Sequence, residues 1–329
     1  MPQIKGFMAN RVGKMVVLDG YTNNPGDISW QDIQAYGHLE IYNRSNNANW
    51  LSRAREAEIL LVNKFVLDAG RLRLLPNLRC IIVLATGYNN IDLKTCRERS
   101  VRVYNAVGYA GDSVAQYVIT AILAWQVRLE SHVLNVKQGG WSQCPDFSYT
   151  LNSIREITGM QLGIVGFGKI GQAVGRKAHA LGMRVVAQHT HPDRDQQPWM
   201  KMVSREELFA TSDVVSLHVP LNETTTHLIN TRSLALMKPQ SLLINTGRGG
   251  LVDETALQKA LSNQVIQGAV LDVLDQEPPG SDHPFFAMPN CWVTPHMAWT
   301  SREARQRLIE ISGENIGHYL AGKATNRVV

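Results

Sequence analysis

Residues 162–187 read LGIVGFGKIGQAVGRKAHALGMRVVA. An apolar, strand-like run leads into Gly166, Gly168 and Gly171 in GxGxxG spacing, a helix-forming stretch follows, and a second apolar run, MRVVA, closes the segment. In that setting each glycine has its own physical role. Gly166 permits the tight turn, Gly168 lets the backbone approach a pyrophosphate, and Gly171 lets the helix pack closely on the strand. The helix N-terminus then offers unpaired N–H groups and the positive end of its dipole to the phosphates. A glycine turn alone is only a sharp bend; its place inside a strand–helix–strand unit makes it a dinucleotide cradle.

Outward from the cradle, short apolar runs alternate with helix-like stretches, the sequence form of parallel strands buried on both faces by helices. On the C-terminal side the strands are QLGIV, MRVVA, DVVSLHV, SLLINT and GAVLDV. On the N-terminal side KMVVLDG (14–20), EILLVN (58–63), CIIVLAT (80–86) and RVYNAV (102–107) predict a four-stranded α/β unit. Between the two series, residues 112–136 predict one long buried helix capped by Asp112, and residues 137–158 an irregular arm that contains Trp141. The charged, amphipathic REARQRLIEISGENIGHYLAG (302–322) predicts a closing helix.

The chain of 329 residues exceeds what one core usually supports, so two domains are expected. Its composition, 44% hydrophobic and 19% charged, is that of a globular protein. The start carries only a short apolar run, Met15 to Leu18, too short for a signal-peptide core or a membrane span. Cys80, Cys96, Cys144 and Cys291 are irregularly spaced, without the CxxC pairing of a metal knuckle, so no metal site and a cytoplasmic setting are expected. The net charge of +5 comes from scattered basic residues without interleaved aromatics, which argues against nucleic acid and suits a small anionic substrate and a pyrophosphate cofactor.

Several blocks in order, VLDGYTNNPGD (17–27), ATGYNNID (85–92), the GFGKIG cradle, HVPLNETTTHLI (218–229), NTGRGGLVDE (245–254), LDVLDQEPP (271–279) and NCWVTPHMAW (290–299), carry a family resemblance. Through them the chain resembles the D-isomer-specific 2-hydroxyacid dehydrogenases, most closely their glycerate dehydrogenase/hydroxypyruvate reductase branch. The resemblance implies an α/β architecture of two flavodoxin/Rossmann-like, doubly wound parallel-sheet domains. Residues 1–105, completed by 296–329, would bind substrate, and residues 106–295 would bind the nicotinamide dinucleotide. It also implies a homodimer through the 112–158 helix and arm, in which Trp141 packs or closes the partner's pocket.

The resemblance assigns catalysis to Arg248, Glu277 and His296, and the chemistry agrees. Reducing a keto acid needs a proton donor, a cation for the carboxylate and the developing oxyanion, and a hydride from a cofactor. Histidine titrates near neutrality, a carboxylate beside it fixes its tautomer, and arginine grips a carboxylate with two parallel bonds. The Glu beside the histidine, where formate dehydrogenases have Gln, argues against formate as substrate. Backbone N–H groups of Thr86, Gly87 and Tyr88 match the family's substrate loop. The cofactor set implied is Gly166, Gly168, Lys169, Ile170, Gly171, His189, Thr190, His218, Pro220, Thr225, Thr246, Gly247, Asp272 and Ala298, with Asp272 near the nicotinamide amide. Other histidines, among them His38, His132, His179, His227 and His318, read as surface or core groups.

The family's acid at the end of the second cofactor-domain strand falls on His189 here, so NADP is expected to be accepted, and favoured over NAD. Arg194 lies close enough in sequence to meet a 2′-phosphate, and Asp193 and Asp195 flank it. A rival reading is a dinucleotide-sensing, corepressor-like binding protein of the same fold, which oxidation of NAD(P)H with a keto acid would separate from an enzyme.

Overall fold

The computed structural model describes residues 12–329. Residues 1–11, the opening of the expected substrate domain and of the segment read for a leader, lie outside the described residues. Packing divides the chain into two compact units, one formed by the chain up to Ala110 with Thr300–Val329, the other by Gly111–Trp299. The first division falls beyond 105 because Ala106 N–H bonds the Ala85 carbonyl and Arg307 Nε the Tyr109 carbonyl, which keeps 106–110 with the first unit, and the second falls beyond 295 because the backbone N–H groups of His296, Met297 and Ala298 bond Asp272.

In the first unit β1 (Val12–Val17), β2 (Gly37–Ile41), β3 (Ile59–Val62), β4 (Cys80–Val83) and β5 (Arg102–Asn105) form a parallel sheet of order β2-β1-β3-β4-β5. That is the flavodoxin-like winding. The strands expected from sequence lacked β2, an edge strand whose GHLEI residues are only partly covered and so show no apolar run. The final helix, Arg302–Leu320, is capped by Ser301 and bound into this unit. Arg305, buried, forks onto Asp27 with two 2.6 Å bonds, and Asn315 donates to the Asn105 carbonyl at 2.9 Å.

The second unit is a seven-stranded parallel sheet: β6 (Gln161–Val165), β7 (Arg184–Gln188), β8 (Met200–Met202), β9 (Val214–Leu217), β10 (Leu242–Asn245), β11 (Gly268–Leu271) and β12 (Cys291–Val293), in the order β12-β11-β10-β9-β6-β7-β8. β9, β10 and β11 are buried along their whole length, which is why they read as continuous apolar runs. β8 and β12, the two edges, are three residues each and are not among the expected strands. The order is that of a dinucleotide fold extended by one strand, and its winding reverses between β6 and β9, where such folds bind ligands at the carboxyl ends of the strands.

The predicted long helix is two helices, Gly111–Val127 and Leu129–Lys137, because Arg128 adopts a left-handed conformation with φ 53°. Its guanidinium lies 3.7 Å from the centre of the Trp125 ring. The second helix has no buried residue, contrary to the expectation of a buried one. Asp112 stands inside the first turn and pairs with Lys177 at 3.1 Å. Among the described residues no helix is long and apolar enough to cross a membrane, and no cluster of three or more His, Cys, Asp or Glu could hold a metal.

Candidate active site

Three neighbouring strands of the second unit deliver the expected catalytic residues: Arg248 follows β10, Glu277 follows β11 and His296 follows β12. His296 Nδ1 lies 2.7 Å from Glu277 Oε2, and Glu277 Oε1 accepts the Leu274 N–H at 3.2 Å. A carboxylate on Nδ1 favours the tautomer with hydrogen there and leaves Nε2 to exchange a proton. His296 has φ 52°, a left-handed backbone uncommon for a side chain of its size.

That conformation is held by Asp272. The Asp272 carbonyl accepts the His296 N–H at 2.9 Å, and its carboxylate accepts from Thr294 Oγ1 (2.7 Å), Met297 N (2.8 Å) and Ala298 N (2.8 Å). Burial pushes the Asp272 carboxyl upward, and these donors pull the other way. Because the Thr294 proton goes to Asp272, Tyr117 is the donor in its 2.6 Å bond to Thr294; burial pushes the Tyr117 phenol up to about 12, so it keeps that proton. Ser113, four residues before Tyr117, bonds the Ala298 carbonyl at 2.7 Å.

Arg248 is presented by a turn that Asn245 ties together. The buried Asn245 side chain accepts the Gly247 N–H at 3.0 Å and donates to the Arg248 carbonyl at 2.8 Å. Arg248 Nη1 bonds the Gly247 carbonyl at 2.7 Å. At Gly249 a Cβ would stand 2.0 Å from the Leu274 carbonyl carbon, so only glycine lets the arginine turn lie against the backbone leading to Glu277. Asn245, Gly249, Ser113, Tyr117 and Thr294 were not singled out from sequence. An Asn just before Thr-Gly and a polar i, i+4 pair in an apolar helix are the signals that could have found them.

The expected cofactor residues sit at the carboxyl ends of β6, β7, β9, β10, β11 and β12. Gly166 has φ 92°, and a Cβ on Gly171 would meet the Gly166 carbonyl oxygen at 2.3 Å, so both are required by the chain itself. Gly168 is different. Its φ is −74° and, its chain neighbours apart, no protein atom lies within 4 Å of an added Cβ, so neither strain nor packing calls for glycine, and the space suits a phosphate. No side chain caps the Lys169–Ala180 helix, leaving its first-turn N–H groups, those of Lys169 and Ile170 included, to such a ligand. The buried Thr246 hydroxyl has no partner within the chain, which a bound polar molecule would correct. These residues fit a dinucleotide.

Thr225 Oγ1 bonds the Pro220 carbonyl at 2.7 Å and organises the loop after β9. His218 bonds Ser216 at 2.9 Å, and burial lowers its imidazole from 6.5 to about 4. After β7, His189 does not stand alone: Asp195 Oδ2 is 2.8 Å from its Nε2, so the fold brings an acid to the strand end that sequence position alone left without one. Thr190 pairs with His191 at 3.1 Å. Thr86, Gly87 and Tyr88 follow β4 in the other unit, where Thr86 Oγ1 bonds the Ala106 carbonyl and Tyr88 is exposed.

Residues 119–298, more than half of the chain, match the family model for the D-isomer specific 2-hydroxyacid dehydrogenase, NAD binding domain. Similar proteins include a hydroxypyruvate reductase of Blautia hydrogenotrophica, 36% identical over 96% of this chain and 99% of that one, and a glycerate dehydrogenase of Methylorubrum extorquens, 37% identical over 84% and 87%. Among solved structures, an acyclic imino acid reductase in complex with NADPH and D-Arg has a TM-score of 0.83 at 29% identity, covering 96% of this chain and 100% of that one.

Two outcomes follow from the geometry. Gly249→Ala should force the Arg248 turn away from Leu274 and lower kcat by about 100-fold, the usual effect of a displacement near 1 Å, with a reduced Tm; an unchanged kcat would refute the contact's importance. Because the His218 pKa is depressed in the folded state, the unfolded chain binds the extra proton as pH falls from 6.5 towards 4. Stability should therefore be fully present above that window and decline through it, and His218→Gln should flatten the decline in urea unfolding at stepped pH.

Proposed function

The chain belongs to the D-isomer-specific 2-hydroxyacid dehydrogenase family and is a 2-keto acid reductase of the oxidoreductases acting on CH–OH donors; from that premise we propose that it is a hydroxypyruvate/glyoxylate reductase, equivalently a D-glycerate dehydrogenase. The observation that carries this is the 2.7 Å His296–Glu277 pair, packed through Gly249 and Leu274 against the turn of Arg248. The relatives named hydroxypyruvate reductase and glycerate dehydrogenase support hydroxypyruvate as first substrate, with glyoxylate next. Their enzymatic names do not favour the corepressor-like alternative.

When bound, the nicotinamide dinucleotide supplies the hydride. His296 donates a proton from Nε2 to the substrate's carbonyl oxygen in reduction and takes it back in oxidation. Glu277 holds the proton on Nδ1 and stabilises the imidazolium that precedes transfer. Arg248 binds the substrate carboxylate in a fork and polarises the ketone. Backbone N–H groups of Thr86, Gly87 and Tyr88 are assigned to the same carboxylate by the family pattern. Gly166, Gly168, Lys169, Ile170 and Gly171 would hold the pyrophosphate, and Asp272 with Ala298 would lie on the nicotinamide side. NADPH is accepted as well as NADH, since the residue that follows β7 in sequence is His189 rather than an acid; the NADPH complex of the imino acid reductase supports this.

A homodimer through residues 112–158 accompanies this reading. Leu129, Val133, Leu134 and Val136 are exposed on one short helix, and Phe147 is 90% exposed in the arm, where its carbonyl accepts the Trp141 indole N–H. Exposed apolar side chains gathered on this helix and arm support such an interface.

The test is the oxidation of NADH and NADPH by the purified protein with hydroxypyruvate, glyoxylate and pyruvate. Hydroxypyruvate should give the highest kcat/KM, and His296→Ala should lower kcat by about 10²–10⁴-fold while leaving dinucleotide affinity nearly unchanged. Near wild-type turnover in that variant would overturn the assignment of His296.

A further inference from the structure

The turn after β7 is built around one carboxylate. The short Pro192–Asp195 helix folds back so that Asp195, at 13% side-chain exposure, lies 2.8 Å from His189 Nε2. Arg194 Nε donates to the same Oδ2 at 3.0 Å, and Arg194 Nη2 binds it as well. Arg194 Nη2 and His189 Nε2 are 3.4 Å apart, so both groups that a 2′-phosphate would seek already share one acid. The Arg194 guanidinium holds the Asp195 carboxyl below the ordinary range, which keeps that acid charged. Beside it opens a cavity of about 620 Å³, lined by Gln188, His189, Pro192, Val203, Arg205 and Glu206.

Resting on the dinucleotide reading above, we propose that Asp195 is the residue that sets the cofactor preference: its carboxylate occupies Arg194 and His189, and a 2′-phosphate must displace it to bind. An NAD-type ribose, with only hydroxyls, makes no such demand and meets an acceptor in the same carboxylate. The acid that this strand end lacks in sequence is thus supplied from six residues further along. The chain would accept NADPH, but less well than the loss of an acid at position 189 implies. Removing the Asp195 charge leaves its size and turn in place and frees Arg194 and His189 for another acceptor.

The experiment is calorimetric titration of wild type, Asp195→Asn and Asp195→Asn/Arg194→Gln with 2′,5′-ADP and 5′-AMP, which differ by the 2′-phosphate, and with NADP⁺ and NAD⁺. Asp195→Asn should tighten 2′,5′-ADP and NADP⁺ by about five-fold or more, the size of one partly exposed ion pair, with 5′-AMP changed by less than about two-fold. Adding Arg194→Gln should cancel the gain. A 2′,5′-ADP to 5′-AMP ratio that does not move, or that falls, in Asp195→Asn would overturn the assignment while leaving the dinucleotide reading intact. Wild type that binds neither NAD⁺ nor NADP⁺ would overturn that reading and this assignment together.

Discussion

The Asp272 carboxylate accepts the Thr294 hydroxyl and the Met297 and Ala298 amides, while the Asp272 carbonyl takes the N–H of His296. A buried carboxylate is costly unless its oxygens are satisfied, and here every donor but the side chain of Thr294 is backbone from a single turn. The hydrogen bonds of one turn therefore offset both the cost of burying the acid and the cost of the left-handed His296 backbone: the turn that satisfies the acid is the turn that aims the histidine. Tyr117 and Ser113, from the Gly111–Val127 helix, brace the same turn from outside. Displace Asp272, and the turn that presents His296 to Glu277 loses its anchor.

From that clamp the rest of the site follows by strand adjacency. β10, β11 and β12 are consecutive neighbours in one parallel sheet, so their carboxyl ends release Arg248, the Asp272–Glu277 segment and His296 side by side. The close approach at Gly249 sets the arginine turn directly on the segment that carries Glu277. Across the sheet, the winding reverses between β6 and β9, where Gly166 lies against the His218 carbonyl and the cradle opens. One sheet therefore orders both halves of the proposed site, with the residues proposed to hold the cofactor and those proposed to transfer the proton projecting from the same edge.

Much of this was legible in the residues. The cradle glycines, the buried strands and the His, Glu and Arg blocks announce themselves through apolar runs and short motifs. What stayed hidden did so for physical reasons. β2, β8 and β12 are short or half-covered edges with too few apolar residues to show a period. The break at Arg128 depends on Trp125 and the distant Trp292, a tertiary contact no local pattern reveals. Likewise, the sequence shows no acid at position 189, but the chain folds Asp195 onto it. Gly249 reads as one glycine in a glycine-rich turn until the Leu274 backbone is seen against it.

With His296 as the proposed proton donor, Asp272 governs the proposed chemistry by fixing it. The most direct measurement is the single-turnover rate of NAD(P)H oxidation with saturating hydroxypyruvate in Asp272→Asn, where an amide N–H₂ replaces one acceptor facing the loop. That rate should fall by about 100-fold or more, with the dinucleotide still binding saturably, because the proton donor loses its position. A transfer rate within a few-fold of wild type would contradict the control of His296 by Asp272.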